Sequence, residues 1–144
     1  MAVAWYRKAA EQGDAQAQRT LGDMYEQGRG GLARDDVQAV AWYRKAAEQG
    51  VAQAQRTLGV MYKQGHGGLA PDDAQAVAWW RKAAEQGDAL AQFNLGVMYE
   101  QGRGGLAPDD AQAVAWYRKA AEQGNATDAW RRLCLLRERG MSSG

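Results

Sequence analysis

Small and apolar residues fall at Ala17, Leu21, Met24, Tyr25 and Gly28, and again at Ala39, Trp42, Tyr43, Ala46 and Ala47. Each set follows the i, i+3, i+4, i+7 rhythm that lays one stripe along an α-helix. The first predicts a helix over 14–28, here called helix A, and the second a helix over 35–49, called helix B. The pattern then returns. Trp5, Trp42, Trp79 and Trp116 are spaced by 37 residues, as are Gly13, Gly50, Gly87 and Gly124. The string "AWYRKAAEQG" stands at 4–13, 41–50 and 115–124, and recurs as "AWWRKAAEQG" at 78–87. Self-similarity at such a period marks a stacked-repeat protein.

The punctuation supports this reading. Gly28, Gly65 and Gly102, like the Gly13 series, sit where a helix C-terminus favours a left-handed residue. Asp35, Asp72 and Asp109 are placed to cap helix B, with Gln38, Gln75 and Gln112 three residues on in capping-box spacing. Pro71 and Pro108 precede that aspartate, outside the helix. Helices of about 14 residues are marginal alone, so each must lean on its neighbours. The chain therefore reads B-A-B-A-B-A-B-A: an all-α solenoid of eight antiparallel helices, a right-handed αα-superhelix in one domain over 1–144. Its parts are a half repeat 1–12, repeats 13–49, 50–86 and 87–123, a capping helix 124–140 and a tail 141–144. The mid-helix glycines Gly22, Gly59 and Gly96 predict close approach of helix B, and Trp42 and Trp79 are expected to be buried between helices.

The recurring string "AxAQxxLGxMYxxGxGGxxxDDxxAxxWYRKAAEQG" resembles the Sel-one-like repeat (SLR), a cousin of the tetratricopeptide repeat, over nearly the whole chain. The resemblance implies an αα-superhelix with helix A on the concave side, and an adaptor role in protein complexes, common among bacterial signalling, envelope and host-interaction proteins. One branch of that family is cysteine-rich, with a disulfide in each repeat and affinity for β-lactams; this chain has a single cysteine, Cys134.

Charge and composition narrow the function further. Eighteen basic residues against 17 acidic ones give a formal net charge of +1, which supplies no field for nucleic acid. Mean hydropathy is −0.62 and no stretch of 18 apolar residues occurs. With helix patterning from the first residues and no disulfide to form, the expectation is a cytoplasmic protein that binds neither nucleic acid nor membrane.

Catalytic candidates are few. His66 is the only histidine, in a loop where the other copies have Arg29 and Arg103, and reads as solvated. Ser142 and Ser143, the only serines, stand in the tail, so no Ser-His-Asp arrangement is expected. One Cys and one His leave a metal site without ligands. "GRGGL" and "GHGGL" lead into Asp-Asp rather than Gly-Lys-Ser/Thr, so they read as interhelix connections, not phosphate loops. Asp72 and Asp73 recur with the cap and read as part of it, and Trp42, Tyr43, Trp79 and Trp80 read as core. The chain is expected to be no enzyme and to need no cofactor or metal; a weak hydrolase, as in the cysteine-rich relatives, is the least favoured alternative.

Differences between the copies point to a surface. Between 50–86 and 87–123 only seven positions differ, six of them in helix A or its bounding turns. On copy one the variable face reads Gln16, Arg19, Thr20, Asp23 and Gln27, all polar. On copy two Arg56 and Val60 belong to it, on copy three Leu90, Phe93, Asn94 and Val97, and on the last helix Arg131 and Leu135. The polar copy implies access to water, so the apolar letters of copy three are expected to be exposed. Arg19, Asp23, Arg56, Val60, Leu90, Phe93, Asn94, Val97, Arg131 and Leu135 are thus the candidate partner-binding residues for a peptide or partner helix. A structural spacer or self-assembling array is the alternative.

The two ends differ. The last helix aligns after one inserted residue, which puts Cys134 at the helix-A glycine position and Arg137 at the tyrosine. Arg131, Arg132, Arg137 and Arg139 then read as the polar face of a cap. The N-terminal helix B has no helix A before it, so one flank of Trp5 and Tyr6 is expected to be bare. That predicts either a section of a longer array, which is favoured, or weak head-to-tail self-association through the N-terminal helix.

Overall fold

The computed structural model describes residues 2–124 and 126–143, without side chains for 126, 127 and 140–143. Among them lie eight helices: α1 Ala2–Glu11, α2 Ala15–Gln27, α3 Asp36–Glu48, α4 Ala52–Gln64, α5 Asp73–Glu85, α6 Ala89–Gln101, α7 Asp110–Glu122 and α8 Ala126–Ser143. Odd-numbered helices are the B type and even-numbered the A type. Each packs against its chain neighbours, giving a solenoid. α8 runs past the expected end near 139; the side chains of Ser142 and Ser143 lie outside the described residues.

The ends of the helices follow from local chemistry. Gly28, Gly65 and Gly102 hold φ of 66°, 72° and 65°, and their N–H groups return to the carbonyls of Met24, Met61 and Met98. After helix B the turn is tighter. Gly13 has φ 98°, its N–H donates to Ala10, and the Asp14 N–H donates to Ala9, a Schellman pattern. Asp14 then accepts from the Ala17 N–H as N-cap of α2, so one residue closes α1 and opens the next helix. Asp35, Asp72 and Asp109 cap helix B as expected, but the box is not reciprocal. Their own N–H groups donate to the carbonyls of Tyr25, Tyr62 and Tyr99, which ties the loop back onto helix A.

The core is four clusters in a row, one per helix pair. Ala39, Val40, Tyr43, Ala46 and Ala47 of α3 meet Ala54, Leu58 and Met61 of α4, and α5/α6 and α7/α8 repeat that arrangement. Ala10, Ala17 and Leu21 form the first cluster. Here the expectation for the tryptophans needs correction. The fully buried aromatic is the second of each pair: Tyr43, Trp80 and Tyr117 are 1 %, 2 % and 0 % exposed. Trp42, Trp79 and Trp116 are half-buried and reach across to the cluster of the preceding pair, each under the ammonium of the lysine three residues on. Successive helical residues point about 100° apart, so one position of the doublet faces the core and the other the seam.

The glycines Gly22, Gly59 and Gly96 have the predicted reason. A Cβ at Gly59 would stand 2.5 Å from the Trp80 indole nitrogen, and at Gly22 and Gly96 it would stand 2.9 and 2.7 Å from the rings of Tyr43 and Tyr117. Helix A is bare there so that the aromatic of the following helix B can lie flat on it.

Candidate functional site

The even-numbered helices form one wall. Between α2 and α4, Arg19, Asp23, Gln53, Arg56 and Thr57 line a polar cleft of about 220 Å³. Beside it Val60 shares a larger cleft, about 460 Å³, with Glu26, Arg34, Asp36, Gln64 and His66. Leu135 lines a third with Glu100, Glu138 and Arg139, between α6 and α8. The candidate residues of copies one and two thus come together as Arg19, Asp23 and Arg56, with Val60 adjoining.

Most of that polar group already has partners. Arg19 pairs with Asp23 at 2.9 Å, and Arg56 pairs with Asp88 of α6's cap at 3.2 Å. Asp23 also accepts the hydroxyl of Tyr43. Trp80, at the position equivalent to Tyr43, donates instead to the Arg56 backbone carbonyl at 3.1 Å, and the residue equivalent to Asp23 is Val60. The change from Asp23 to Val60 accompanies the loss of that hydroxyl, but Val97 recurs beside Tyr117, whose hydroxyl turns to Glu100 instead. The change does not by itself record a ligand.

The apolar letters of copy three divide. Leu90 is 48 % exposed and Leu135 44 %. Phe93 and Val97 are half-buried against the last cluster, and the Phe93 ring stands 5.4 Å from that of Tyr117. The expectation that all of these stand exposed is corrected at Phe93 and Val97: Phe93 packs beside Tyr117 and Val97 against the same cluster. Asn94 is half-buried and Arg131 exposed. Accessible apolar surface on this wall is thus concentrated at Leu90 and Leu135.

Glu100, absent from the sequence-derived set, is the electrostatic centre of the C-terminal part. It accepts from the Tyr117 hydroxyl at 2.8 Å, from Arg132 at 3.0 Å and from Arg139 at 2.8 Å. Burial, then the bond to Glu100, raises the Tyr117 pKa; Tyr43 is raised by burial and by its bond to Asp23. Glu26, equivalent to Glu100, lies above its usual 4.5 because of burial first, then Asp23 and Asp36. The signal for this position was the difference between Lys63 and Glu100, one of the seven. Of the four arginines read as a cap, Arg132 and Arg139 pair with Glu100, and α8 leaves Trp130 56 % exposed.

Reactive groups do not converge among the described residues. His66 is exposed, Cys134 is an exposed free thiol, and no group of three or more His, Cys, Asp and Glu is arranged to hold a metal ion. The glycine-rich loops are packing devices. A Cβ at Gly67 would stand 2.5 Å from the Asp36 carbonyl, and one at Gly104 2.5 Å from Val77, so each loop lies on the start of the preceding helix B. Among the described residues no helix is long and apolar enough to cross a membrane.

Comparison with known proteins agrees with this architecture. The Sel1 repeat model matches residues 1–14, 15–51, 52–88 and 89–125. Among curated proteins no significant match is found. Among solved structures the chain is similar to c5321, a protective antigen of uropathogenic Escherichia coli with an SLR fold. Identity is 45 %, the TM-score is 0.89, and the match covers 95 % of this chain and 28 % of that one. A Sel1 repeat protein from Oxalobacter formigenes matches at 38 % identity and TM-score 0.83, over 90 % of this chain and 51 % of that one. Cysteine rich protein B of Helicobacter pylori shares the fold at 24 % identity and TM-score 0.69, over 92 % of both chains. The chain thus spans about a quarter to a half of the length of the first two. The four Sel1 repeat matches along its length make the chain a member of the Sel1 repeat family.

Proposed function

We propose that this chain is a protein-interaction scaffold that holds a peptide or partner helix along the wall of even-numbered helices. Sel1 repeats generally serve as interaction scaffolds. One observation carries the finer reading: on a frame repeated nearly letter for letter, the exposed apolar residues Leu90 and Leu135 occur on the one wall where the copies vary. Isolated apolar residues are ordinary on a surface, but a pair on adjacent inner helices, α6 and α8, gives a partner a place to anchor. The polar cleft of Arg19, Gln53 and Arg56 at the other end gives the ligand a direction. The test is selection of a displayed peptide library on the folded chain, followed by titration of enriched peptides against Leu90→Arg/Leu135→Arg. Loss of binding by tenfold or more, about 1.4 kcal/mol, with unchanged melting supports the reading. Enriched peptides that bind the double variant equally well place the site elsewhere. A spacer or self-assembling role is the second reading, favoured by the exposed Trp5.

A further inference from the structure

Consecutive repeats are tied by a loop as well as by helix packing. The loop after α6 lies on the start of α5: a Cβ at Gly104 would stand 2.5 Å from Val77 and 2.8 Å from the Asp73 carbonyl. That seat brings Arg103 to Asp73, whose carboxylate accepts from the guanidinium at 3.1 and 2.9 Å. Arg103 belongs to the repeat 87–123 and Asp73 to the one before, so the pair links two repeats. The loop after α4 sits in the same way on α3, with a Cβ at Gly67 2.5 Å from both the Asp36 carbonyl and Val40. Here the acid is kept and the base is changed. Asp36 stands where Asp73 stands, and their side chains are 31 % and 29 % exposed, so the two acids are equally accessible. His66 stands where Arg103 stands.

His66 and Asp36 line one cleft of about 460 Å³, together with Glu26 of α2 and Arg34 of the loop before α3. α4 contributes uncharged side chains to that cleft, and Lys63, near its end, is exposed. The imidazole thus shares the cleft with two carboxylates and one guanidinium. Arg34 holds Asp36 only loosely, at 3.7 Å. Glu26 and His66 also feel each other, since a charged imidazole opposes the rise in the Glu26 pKa. Arginine is charged at every physiological pH, whereas histidine as a residue type changes charge between about pH 5 and pH 8.

We infer that His66 is a pH-set latch between the repeats 13–49 and 50–86: protonated, it pairs with Asp36 as Arg103 pairs with Asp73, and deprotonated it releases the loop. Glu26 adds to the attraction and Arg34 subtracts from it. The latch borders the cleft that holds Val60, but it needs no ligand on the wall. A base that gains an acid partner on protonation stabilises the fold at low pH and loses that contribution as pH rises. An arginine in the same seat keeps the contribution throughout.

The test is a set of thermal melts between about pH 8 and pH 5.5, a range that spans histidine ionisation and stays above that of ordinary carboxylates. The unmodified chain is compared with His66→Gln and His66→Arg. Relative to His66→Gln, its melting temperature is expected to rise by about 1–3 °C from the upper to the lower pH, a shift the size of one exposed ion pair. His66→Arg is expected to hold that gain at both ends. In an Asp36→Asn background the pH-dependent gap is expected to shrink by at least half. A gap that does not change with pH overturns the latch, and so does one that keeps more than half its size with Asp36→Asn. If Asp36→Asn does not fold, Arg103→His against Arg103→Gln takes its place. A pH-dependent gap there supports the shared seat, and a constant one overturns it.

Discussion

The phenol of Tyr43 on α3 donates its proton to the carboxylate of Asp23 on α2. Together with the Arg19 pair, this bond makes Asp23 the foot of a buried aromatic as well as a residue of the cleft between α2 and α4. Hydrogen bonds to a charged acceptor contribute roughly 1.5–3 kcal/mol, less where water reaches them. In copy two the aromatic is Trp80, bonded to backbone, and the acid has become Val60. A double-mutant cycle separates the two roles: Asp23→Val is expected to cost about 1–2 kcal/mol beside Tyr43 and clearly less beside Tyr43→Trp, since contacting pairs couple by amounts of that order. Equal cost in both backgrounds, measured by urea melts, refutes the pairing.

The aromatic doublets rank by burial. Tyr43→Ala opens a cavity in the second cluster and is expected to cost about 3–5 kcal/mol. Trp42→Ala removes a half-buried ring at the seam and costs less. Trp5→Ala, on a side chain 66 % exposed, shifts stability by about 0.5 kcal/mol or less. Thermal melts that put Trp42 above Tyr43 would overturn the assignment of core and seam.

Glycine tests the same contact from the other helix. Mid-helix alanine ordinarily gains about 1 kcal/mol over glycine. At Gly59 the sign is expected to reverse, because the new methyl would press on the Trp80 ring at 2.5 Å. Cys134→Gly, at the equivalent place on α8 where the side chain is exposed, should simply lose about 0.5 kcal/mol of helix propensity. A stabilised Gly59→Ala would mean that the helices are not in contact there.

Helix α4 is the one A-type helix whose described N-cap, Val51, makes no side-chain bond, whereas Asp14 and Asp88 cap α2 and α6. Val51→Asp is expected to be more stable than Val51→Ala by about 0.5–2 kcal/mol, the range found for such caps. Comparison with alanine removes the packing lost with the valine. Indistinguishable denaturation midpoints for the two variants would count against a cap geometry shared by the repeats.

Glu26 sets a pH dependence. Burial and the neighbouring Asp23 and Asp36 hold its folded pKa above the usual 4.5. A carboxyl raised in this way adds stability below its unfolded pKa and loses that contribution as pH rises through the folded value. Glu26→Gln is therefore expected to melt higher than the unmodified chain at neutral pH, with the advantage closing below about 4.5. An advantage that stays constant from neutral to acid pH would assign the effect to packing.

The sequence by itself determined what depends on nearby residues along the chain. The 37-residue period, the caps at Asp35, Asp72 and Asp109, and the bare strip at Gly22, Gly59 and Gly96 each answer to a local demand, such as an orphan N–H, a left-handed turn or room for a ring. Three packing decisions were left to the tertiary structure. Trp42 and Tyr43 are adjacent and both apolar, on a helix whose stripe is broad enough for either to face inward; only the position of α2 shows that Tyr43 does. Asp23 and Val60 differ on a wall that a ligand could read, yet Asp23 holds a buried hydroxyl of another helix, a task that falls to Glu100 where Val97 stands beside Tyr117. Phe93 has polar equivalents in the other copies, and only the fold sets it against the ring of Tyr117. Burial belongs to pairs of helices, and a pattern along one helix fixes the stripe but not what lies against its edges.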